Sequence, residues 1–537
     1  MKNKMLYCAM LLCVTAILGS SACSDSTPKE IPNDNKLQTL VIEPATLPLM
    51  IGQTATLSLR ATPETASLEN VRWSSRDSKI ASIEAGTVTA IAVGTTTLTA
   101  ACDGVIARCE VTVTKKPIAL EKIELKPSVI SMKVGTTTDI VATLVPENAQ
   151  VEGAIVWASN TPAVATVDSK GHVVAVANGK TTLTATIGAI VATCNVEVYS
   201  QTSARTFTFL QLNLWEGLSN IDNGRTALYN QLIELKPDAA SFCEFRSAYE
   251  ADEVLQEAIA ALLKSTGIQY YASFRQDNGT RGLLTRHPIL STDPIADEGW
   301  FYRTVIDFYG QQMALYASHA YHAYYACYLP RGYGDGGTPY DWNKLPNGPI
   351  TDIEVILKRE EISGRSLIAQ HLIPEMKAQH DQGRLSVFGG DLNQPSHLDW
   401  TEATKDRYEH NGCVVAWPIS TLCYAAGIRD AYRAVYPNPV THPGVTWPVS
   451  NKDAKKVTQW AAEADERDRI DFVYYLPEDK FAVQKAQIVG PSAMISKSQV
   501  VEDTFVNKTE ELITPTNNTW PTDHRGLLIT FEVKFAK

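Results

Sequence analysis

Leu385-Ser386-Val387-Phe388-Gly389-Gly390-Asp391-Leu392-Asn393 is the stretch whose reading decides the fold of this chain. An apolar run gives way to two glycines, an acid and an amide. The apolar part predicts a strand over 385–389. A strand that ends on Asp391 and Asn393 delivers oxygen-bearing side chains to the rim of a cleft on a rigid support. The same pattern recurs along the chain. Asn213 follows Phe209-Leu210-Gln211-Leu212, Glu244 follows Phe242-Cys243, and His319 follows Leu315-Tyr316-Ala317-Ser318. Asp471 lies in Arg469-Ile470-Asp471-Phe472, and Asp523 and His524 lie in Thr522-Asp523-His524. One polar residue past a strand is ordinary solvation of a strand end. The whole set supplies acidic and amide oxygens for a hard divalent cation, and a His that a separate Asp can orient. Hydrolysis of a phosphate ester at a metal needs that inventory.

Outward from these motifs the pattern is layered. A strand over 207–214 leads into a helix over 225–235, with Leu228, Leu232 and Leu235 on one face, stopped at Lys236-Pro237-Asp238. A strand over 239–243 and a helix over about 250–264 follow. Further strands are expected at 282–285, 304–308, 313–318, 471–475 and 526–533, and one long helix near 351–380. Many strands and few helices predict two packed sheets with helices outside. The stretch 321–342, rich in Tyr and Gly, reads as a long loop beside the cleft, a specificity element whose aromatics stack on substrate or pack the loop. The block Glu463-Ala464-Asp465-Glu466-Arg467-Asp468 reads as a solvated loop.

At 537 residues, with 44% hydrophobic and 20% charged residues, the chain is globular and multidomain. Formal net charge is −11, and nearly all of the excess falls within 205–537. An acidic region lacks the broad positive field of polyanion binders, which lowers the expectation of duplex nucleic acid as substrate. Residues 1–23 read as an export signal: Lys2 and Lys4, an apolar run over 5–18, then Gly19-Ser20-Ser21-Ala22 before Cys23. The apolar run is short for a bilayer span. The small residues ending in Ala-Cys resemble a bacterial lipobox, which implies lipidation of Cys23. Residues 24–36 are then a flexible tether, and the expected location is the bacterial outer membrane, surface-exposed or on the periplasmic face. Cys102, Cys109, Cys194, Cys243, Cys327, Cys413 and Cys423 are too few and too uneven for a disulfide framework, although Cys413 and Cys423 could bridge a loop.

Residues 37–116 and 118–200 repeat each other. Val71-Arg72-Trp73-Ser74-Ser75 answers Ile155-Val156-Trp157-Ala158-Ser159, and Gly94-Thr95-Thr96-Thr97-Leu98-Thr99-Ala100 answers Gly179-Lys180-Thr181-Thr182-Leu183-Thr184-Ala185. Alternating Val, Ile and Thr with turn residues between the runs predict two small antiparallel sandwiches, with Trp73 and Trp157 anchoring their cores. The copies resemble the bacterial immunoglobulin-like group 2 family. That implies spacers, or modules that contact a glycan or another cell surface.

Residues 205–537 resemble the endonuclease/exonuclease/phosphatase superfamily, with the deoxyribonuclease-I-like fold. The resemblance is carried by Gly390-Asp391-Leu392-Asn393, Arg469-Ile470-Asp471-Phe472 and Thr522-Asp523-His524-Arg525, with weaker support from Gln211-Leu212-Asn213-Leu214 and Cys243-Glu244-Phe245. It implies a four-layer αββα sandwich that hydrolyses phosphoesters with Mg²⁺ or Mn²⁺. It implies Glu244 as metal ligand with Asn213 and Asp523 nearby. Asp391 and Asn393 would orient water and phosphate, and His524, held by Asp471, would be base or transition-state partner. His319 corresponds to a second His. Cys243 departs from the residue that precedes the family's Glu. From the residues themselves, Arg331 could meet a substrate phosphate, and His322 and His397 could line the cleft.

The expectation is a monomeric, tethered phosphoesterase, a phosphodiesterase using in-line water attack. The alternatives are a secreted nuclease acting on DNA or RNA, and an inactive surface binding protein.

Overall fold

The computed structural model describes residues 35–200, 203–274, 280–294, 299, 301–339, 341–456, 459–503, 508–517 and 519–535. The segment expected to be an export signal, and Cys23, lie outside the described residues. Among the described residues no helix is long and apolar enough to cross a membrane. The chain divides into two compact units, 1–119 and 120–537.

The first unit contains an all-β sandwich. Strands Thr46–Met50, Val105–Thr114, Gly94–Cys102 and Arg72–Ser75 form one sheet in that order, and Thr54–Thr56, Thr87–Ala90 and Ala81–Glu84 form another. Strand Val105–Thr114 alternates exposed and buried residues almost without break, so Ala107, Cys109, Val111 and Val113 meet Leu98 and Ala100 in the core. The second unit opens with the same arrangement, its Val129–Lys133, Ile190–Tyr199, Gly179–Ile187 and Val156–Ser159 sheet packing around Leu183, Cys194 and Val196. Trp73 and Trp157 are half-buried and pack against these cores rather than fill them. Tyr199 of the second sandwich lies edge-on to Tyr309 at 5.3 Å, and the Arg205 guanidinium sits 4.0 Å from the centre of the Tyr309 ring. The second sandwich and the domain that follows it therefore share a packed junction.

That domain has two large sheets and a separate two-stranded one, Ala493–Ser496 with Gln499–Glu502. The elements are β1 (Ala204–Asn213), α1 (Gly224–Leu235), β2 (Ala239–Cys243), α2 (Ala248–Thr266), β3 (Tyr271–Phe274), β4 (Arg281–Thr285), β5 (Ile289–Pro294), β6 (Phe301–Phe308), β7 (Gln311–His319), α3 (Ile353–Ile362), α4 (Ser366–Asp381), β8 (Leu385–Asp391), α5 (Pro418–Ala425), β9 (Arg429–Asp430), α6 (Ala431–Val435), β10 (Asp471–Tyr475), β11 (Phe481–Val489), β12 (Leu512–Ile513) and β13 (Gly526–Lys534). One sheet runs β3-β4-β2-β1-β13-β11-β12 and the other β5-β6-β7-β8-β10-β9. Phe207, Phe209, Leu315, Val387, Val473 and Ile529 fill the space between them. On the outer face of the first sheet Leu210, Leu212 and Phe242 meet Leu228, Leu232, Val254 and Leu255 of α1 and α2. On the outer face of the second, Phe388 and Tyr474 meet Ile368, Leu372 and Met376 of α4 and Ile419 of α5. The layers are helix, sheet, sheet, helix. The domain is a four-layer αββα sandwich, preceded in the sequence by two immunoglobulin-like sandwiches.

Local chemistry sets the element ends. Ser247 caps α2 by accepting from the Glu250 N–H at 3.1 Å, and Gly267 closes it in the left-handed conformation. The single helix expected near 351–380 is two. Gly364 at φ +70° breaks it, and Arg365 turns inward, donating to the carbonyls of Tyr321, Ala323 and Tyr324. Cys413 and Cys423 are free and buried, so no bridge joins them.

Gly389 fixes how closely the two sheets approach. A methyl group there would collide with Ser241 Oγ and lie 2.7 Å from the Phe209 ring, both on the opposite sheet. Gly389→Ala is expected to lower unfolding free energy by about 2 kcal/mol, measured as a shift of the urea midpoint with an unchanged far-ultraviolet circular dichroism spectrum.

Candidate active site

Strand register brings three of the residues together. His319, the last residue of β7, pairs with Asp391 at the end of β8, and Asp391 pairs with Asp471 at the start of β10. Alternation places all three on the inner face, the same face that carries Leu315, Val387 and Val473 deeper in the sheet. On the opposing sheet Gln211 and Asn213 continue the inner face of Phe207 and Phe209. The apolar stripe of each sheet thus turns polar at the same end.

The two sheets are then joined by side-chain amides. Asn213 Nδ2 donates to Asp391 Oδ2 at 2.8 Å and to Glu244 Oε1 at 2.9 Å. Its Oδ1 accepts the Trp215 N–H at 2.8 Å. Asn213 therefore holds the two carboxylates together as a donor, and its oxygen, expected as a metal ligand, is engaged by backbone. Gln211 Nε2 donates to Asp471 Oδ1 at 3.3 Å, and Ser241 Oγ donates to Gln211 Oε1 at 2.7 Å. Asn393, at φ +44°, accepts nothing from this set; its N–H donates to Asp391 Oδ1 at 2.8 Å and its amide nitrogen to the Ala320 carbonyl at 3.0 Å.

Glu244 is placed by unusual backbone. It sits at φ +66°, and Trp215, Glu216, Gly217 and Leu218 are four consecutive left-handed residues, closed by Leu218 N–H to the Leu214 carbonyl at 2.6 Å. L-residues adopt this at a cost of about 1–2 kcal/mol each. The turn aims the Glu216 N–H at Glu244 Oε2, 2.8 Å away, and the Gly217 N–H at the Glu244 carbonyl, 2.7 Å away. Strain of this kind gathers where a group has to be held for a task.

His319 Nε2 lies 3.4 Å from Glu244 Oε1 and 3.7 Å from Asp391 Oδ2. His524 Nδ1 bonds Asp471 Oδ2 at 2.8 Å, while its Nε2 lies 3.9 Å from both Asp391 Oδ2 and Asp523 Oδ1. Trp447 Nε1 donates to Asp523 Oδ2 at 3.1 Å. Burial would raise the Glu244 carboxyl, but the His319 hydrogen bond and charge, with help from His524 and Asn213, hold it well below the usual range. Burial, then the charge of Asp471, pushes Asp391 up to about 6 against the pull of both imidazoles. Burial, with Glu244 adding to it, pushes Asp523 up to about 6 against His524 and Trp447. Burial opposes charge on His524, yet Asp471 and Asp523, then Asp391, carry it up to about 10. Four carboxylates share this site with two imidazoles. Two of the acids respond by drawing protons, and a bound cation would relieve the same imbalance.

These groups open into a cleft of about 520 Å³, lined among others by Glu244, His319, His322, Asp391, Asn393, Asp523 and His524. Two sequence-based expectations fail here. Arg331 is buried away from the cleft, paired with Asp468 at 2.7 Å, because burying an unpaired guanidinium is too costly. His397 bonds Ser420 Oγ at 2.9 Å, packs against Tyr424 and does not line the cleft. The block 463–468 is only partly solvated, since Asp465, Glu466 and Asp468 are buried. Of the loop aromatics, Tyr325, Tyr328 and Tyr333 pack a core of their own with Trp400 and Trp417. Gln211 had no assigned role, although a second amide two residues before Asn213 on one strand face was a signal. Trp447 and Trp460 come from loops without periodicity, and nothing in the sequence pointed to them.

Residues 38–113 and 119–198 match the family model described as bacterial Ig-like domain (group 2), so the two N-terminal repeats are domains of that kind. An uncharacterized protein of Caenorhabditis elegans is 25% identical over 280 residues, 51% of this chain and 80% of that protein. Truncated Caenorhabditis elegans TDP2 is similar with 15% identity and a TM-score of 0.32, over 61% of this chain and 97% of its own. An endonuclease/exonuclease/phosphatase family protein from Leptotrichia buccalis is similar with 16% identity and a TM-score of 0.30, over 61% of this chain and 100% of its own.

The raised His524 pKa carries a sign. Folding favours the imidazolium, so its stabilising contribution is complete below the free-imidazole pKa and fades as pH rises through about 10. In the metal-free chain the His524 ring resonances in nuclear magnetic resonance are expected to stay those of imidazolium at pH 8. Asp471→Asn is expected to bring the midpoint down by at least one pH unit.

Proposed function

We propose that this chain is a metal-dependent phosphoesterase, and specifically a phosphodiesterase that uses in-line attack by water without a covalent enzyme intermediate. The observation that carries the reading is convergence: Glu244, His319, Asp391, Asn393, Asp523 and His524, drawn from both sheets, face one cleft, and Asp471 holds His524 from behind. The donor set fits a hard cation, Mg²⁺ or Mn²⁺, because oxygen ligands dominate and negative charge is in excess. Glu244 and Asp391 would hold it, being already bridged by Asn213. When bound, the cation neutralises charge on the non-bridging phosphate oxygens.

The remaining chemistry belongs to the chain's own side chains. His524, oriented by Asp471, donates to a phosphoryl oxygen as charge develops there. Asp523, within 3.9 Å of His524, accepts the proton of the attacking water. His319 and Asn393, 3.3 Å apart, sit where a leaving oxygen or a second phosphoryl oxygen can be held. Cys23 would carry a lipid and the two immunoglobulin-like domains would act as spacers, placing the cleft outside the cell or in the periplasm.

Turnover of bis-p-nitrophenyl phosphate tests this. Activity with added Mg²⁺ or Mn²⁺ is expected, abolished by EDTA and reduced at least 10²-fold by Asp391→Ala or His524→Ala, with folding checked by circular dichroism. A metal-independent rate, or full activity in both variants, would overturn the assignment.

A further inference from the structure

One wall of the cleft is aromatic and belongs to none of the machinery above. Trp460 and His322 both line the cleft. The Trp460 ring stacks on Trp342 with centroids 4.8 Å apart and planes at 22°, and on His322 at 5.7 Å and 13°. Trp342 in turn meets Tyr328 edge-on at 5.2 Å. The column starts three residues beyond His319 and runs outward from the catalytic cluster.

The His322 and Trp460 segments are locked from behind by buried charge. Arg365 donates to the Tyr321, Ala323 and Tyr324 carbonyls on both sides of His322, and is itself paired with the buried Glu360 at 2.6 Å. Gln394, directly after Asn393, donates to the same Glu360 at 2.6 Å. Glu466 Oε1 accepts the Trp460 and Ala461 N–H groups at 2.8 Å and the Tyr328 hydroxyl at 2.6 Å. A scaffold this ordered nevertheless leaves Trp460 44% exposed. A large indole held rigid and wet beside a catalytic centre forgoes about 1 kcal/mol or more of burial. A ligand that covers it recovers that energy. Next to it Gln459 lines the cleft, and among the described residues its buried Nε2 has no hydrogen-bond partner, while its Oε1 accepts from Ser498.

We propose that Trp460 and His322, with Trp342 packed against Trp460, form the specificity subsite of this cleft, which takes a planar aromatic ring of nucleobase type, carried by the group esterified to the scissile phosphate. This rests on the phosphodiesterase reading for its link to chemistry. Near-parallel rings present a π-face that a base continues by stacking, whereas hydroxyl-rich or aliphatic groups gain less there. The Gln459 amide donor suits the carbonyl edge of a base. Burial, then the charge of His319, lowers the His322 pKa from its ordinary range.

The test separates ring from phosphate by equilibrium binding. The full-length protein is titrated calorimetrically with thymidine 5′-monophosphate and with 2-deoxyribose 5-phosphate, which differ only by the base. Base stacking is worth about 1–3 kcal/mol, so the nucleotide is expected to bind at least tenfold tighter. Trp460→Ala is expected to bring the two within about twofold while leaving the sugar phosphate unchanged, and Trp460→Phe to keep most of the preference. Equal affinities in the unaltered protein, or equal weakening of both ligands by Trp460→Ala, would overturn the proposal. So would tighter binding of phosphorylcholine than of the nucleotide, which would assign the wall to a cationic head group. A retained base preference without turnover of any phosphodiester would instead remove the enzyme reading and leave the subsite standing.

Discussion

Two amides hold this site together across the gap between two sheets. Asn213 reaches from β1 to Asp391 on β8, and Gln211 reaches from the same strand to Asp471 on β10. Both bonds are buried, and a buried carboxylate left without its donor costs about 1–3 kcal/mol or more. The sheets must come close for such short side chains to span them, which is why Gly389 faces Ser241 and Phe209 with no room for a Cβ. Register does the rest, since His319, Asp391 and Asp471 occupy one row and cannot be moved singly. A one-residue slip of any of these strands would send its functional group to the outer, helix-covered face.

The chemistry follows from what that geometry crowds together. Glu244, Asp391, Asp471 and Asp523 converge with two imidazoles between them. The acids divide by environment: Glu244 is held ionised by His319, while Asp391 and Asp523 are pushed toward neutrality. Environments that pull like groups apart in this way mark acid and base assignments. The strained left-handed turn at 215–218 adds directional control by fixing both carboxylate oxygens of Glu244, one through the turn and one through Asn213. Around this polar floor stands a wall of tryptophans, so the cleft combines a site for charge with a site for a flat ring.

Much of this was readable from the chain. The strands that carry Asn213, Glu244, His319, Asp391 and Asp471 announce themselves as apolar runs with a polar terminus, and the two repeats announce themselves by alternation and by Trp73 and Trp157. What escaped depended on contacts between distant segments. Arg331 looks like a phosphate ligand until Asp468, 137 residues away, is seen to neutralise it. His397 looks close to Asn393 until Ser420 claims its ring. The helix near 351–380 breaks because Gly364 permits the turn that sends Arg365 into the protein to support the His322 loop. The Trp460 wall lay hidden for the same reason, assembled from three loops that share no period.

The central claim is that carboxylates from opposite sheets form one cation site. Mn²⁺ binding followed by electron paramagnetic resonance on the full-length protein, with Glu244→Gln on one sheet and Asp391→Asn on the other, tests it without recourse to turnover. The account predicts saturable Mn²⁺ binding that either substitution alone weakens at least tenfold. Binding that survives both substitutions unchanged, or that depends on only one of the two residues, would contradict it.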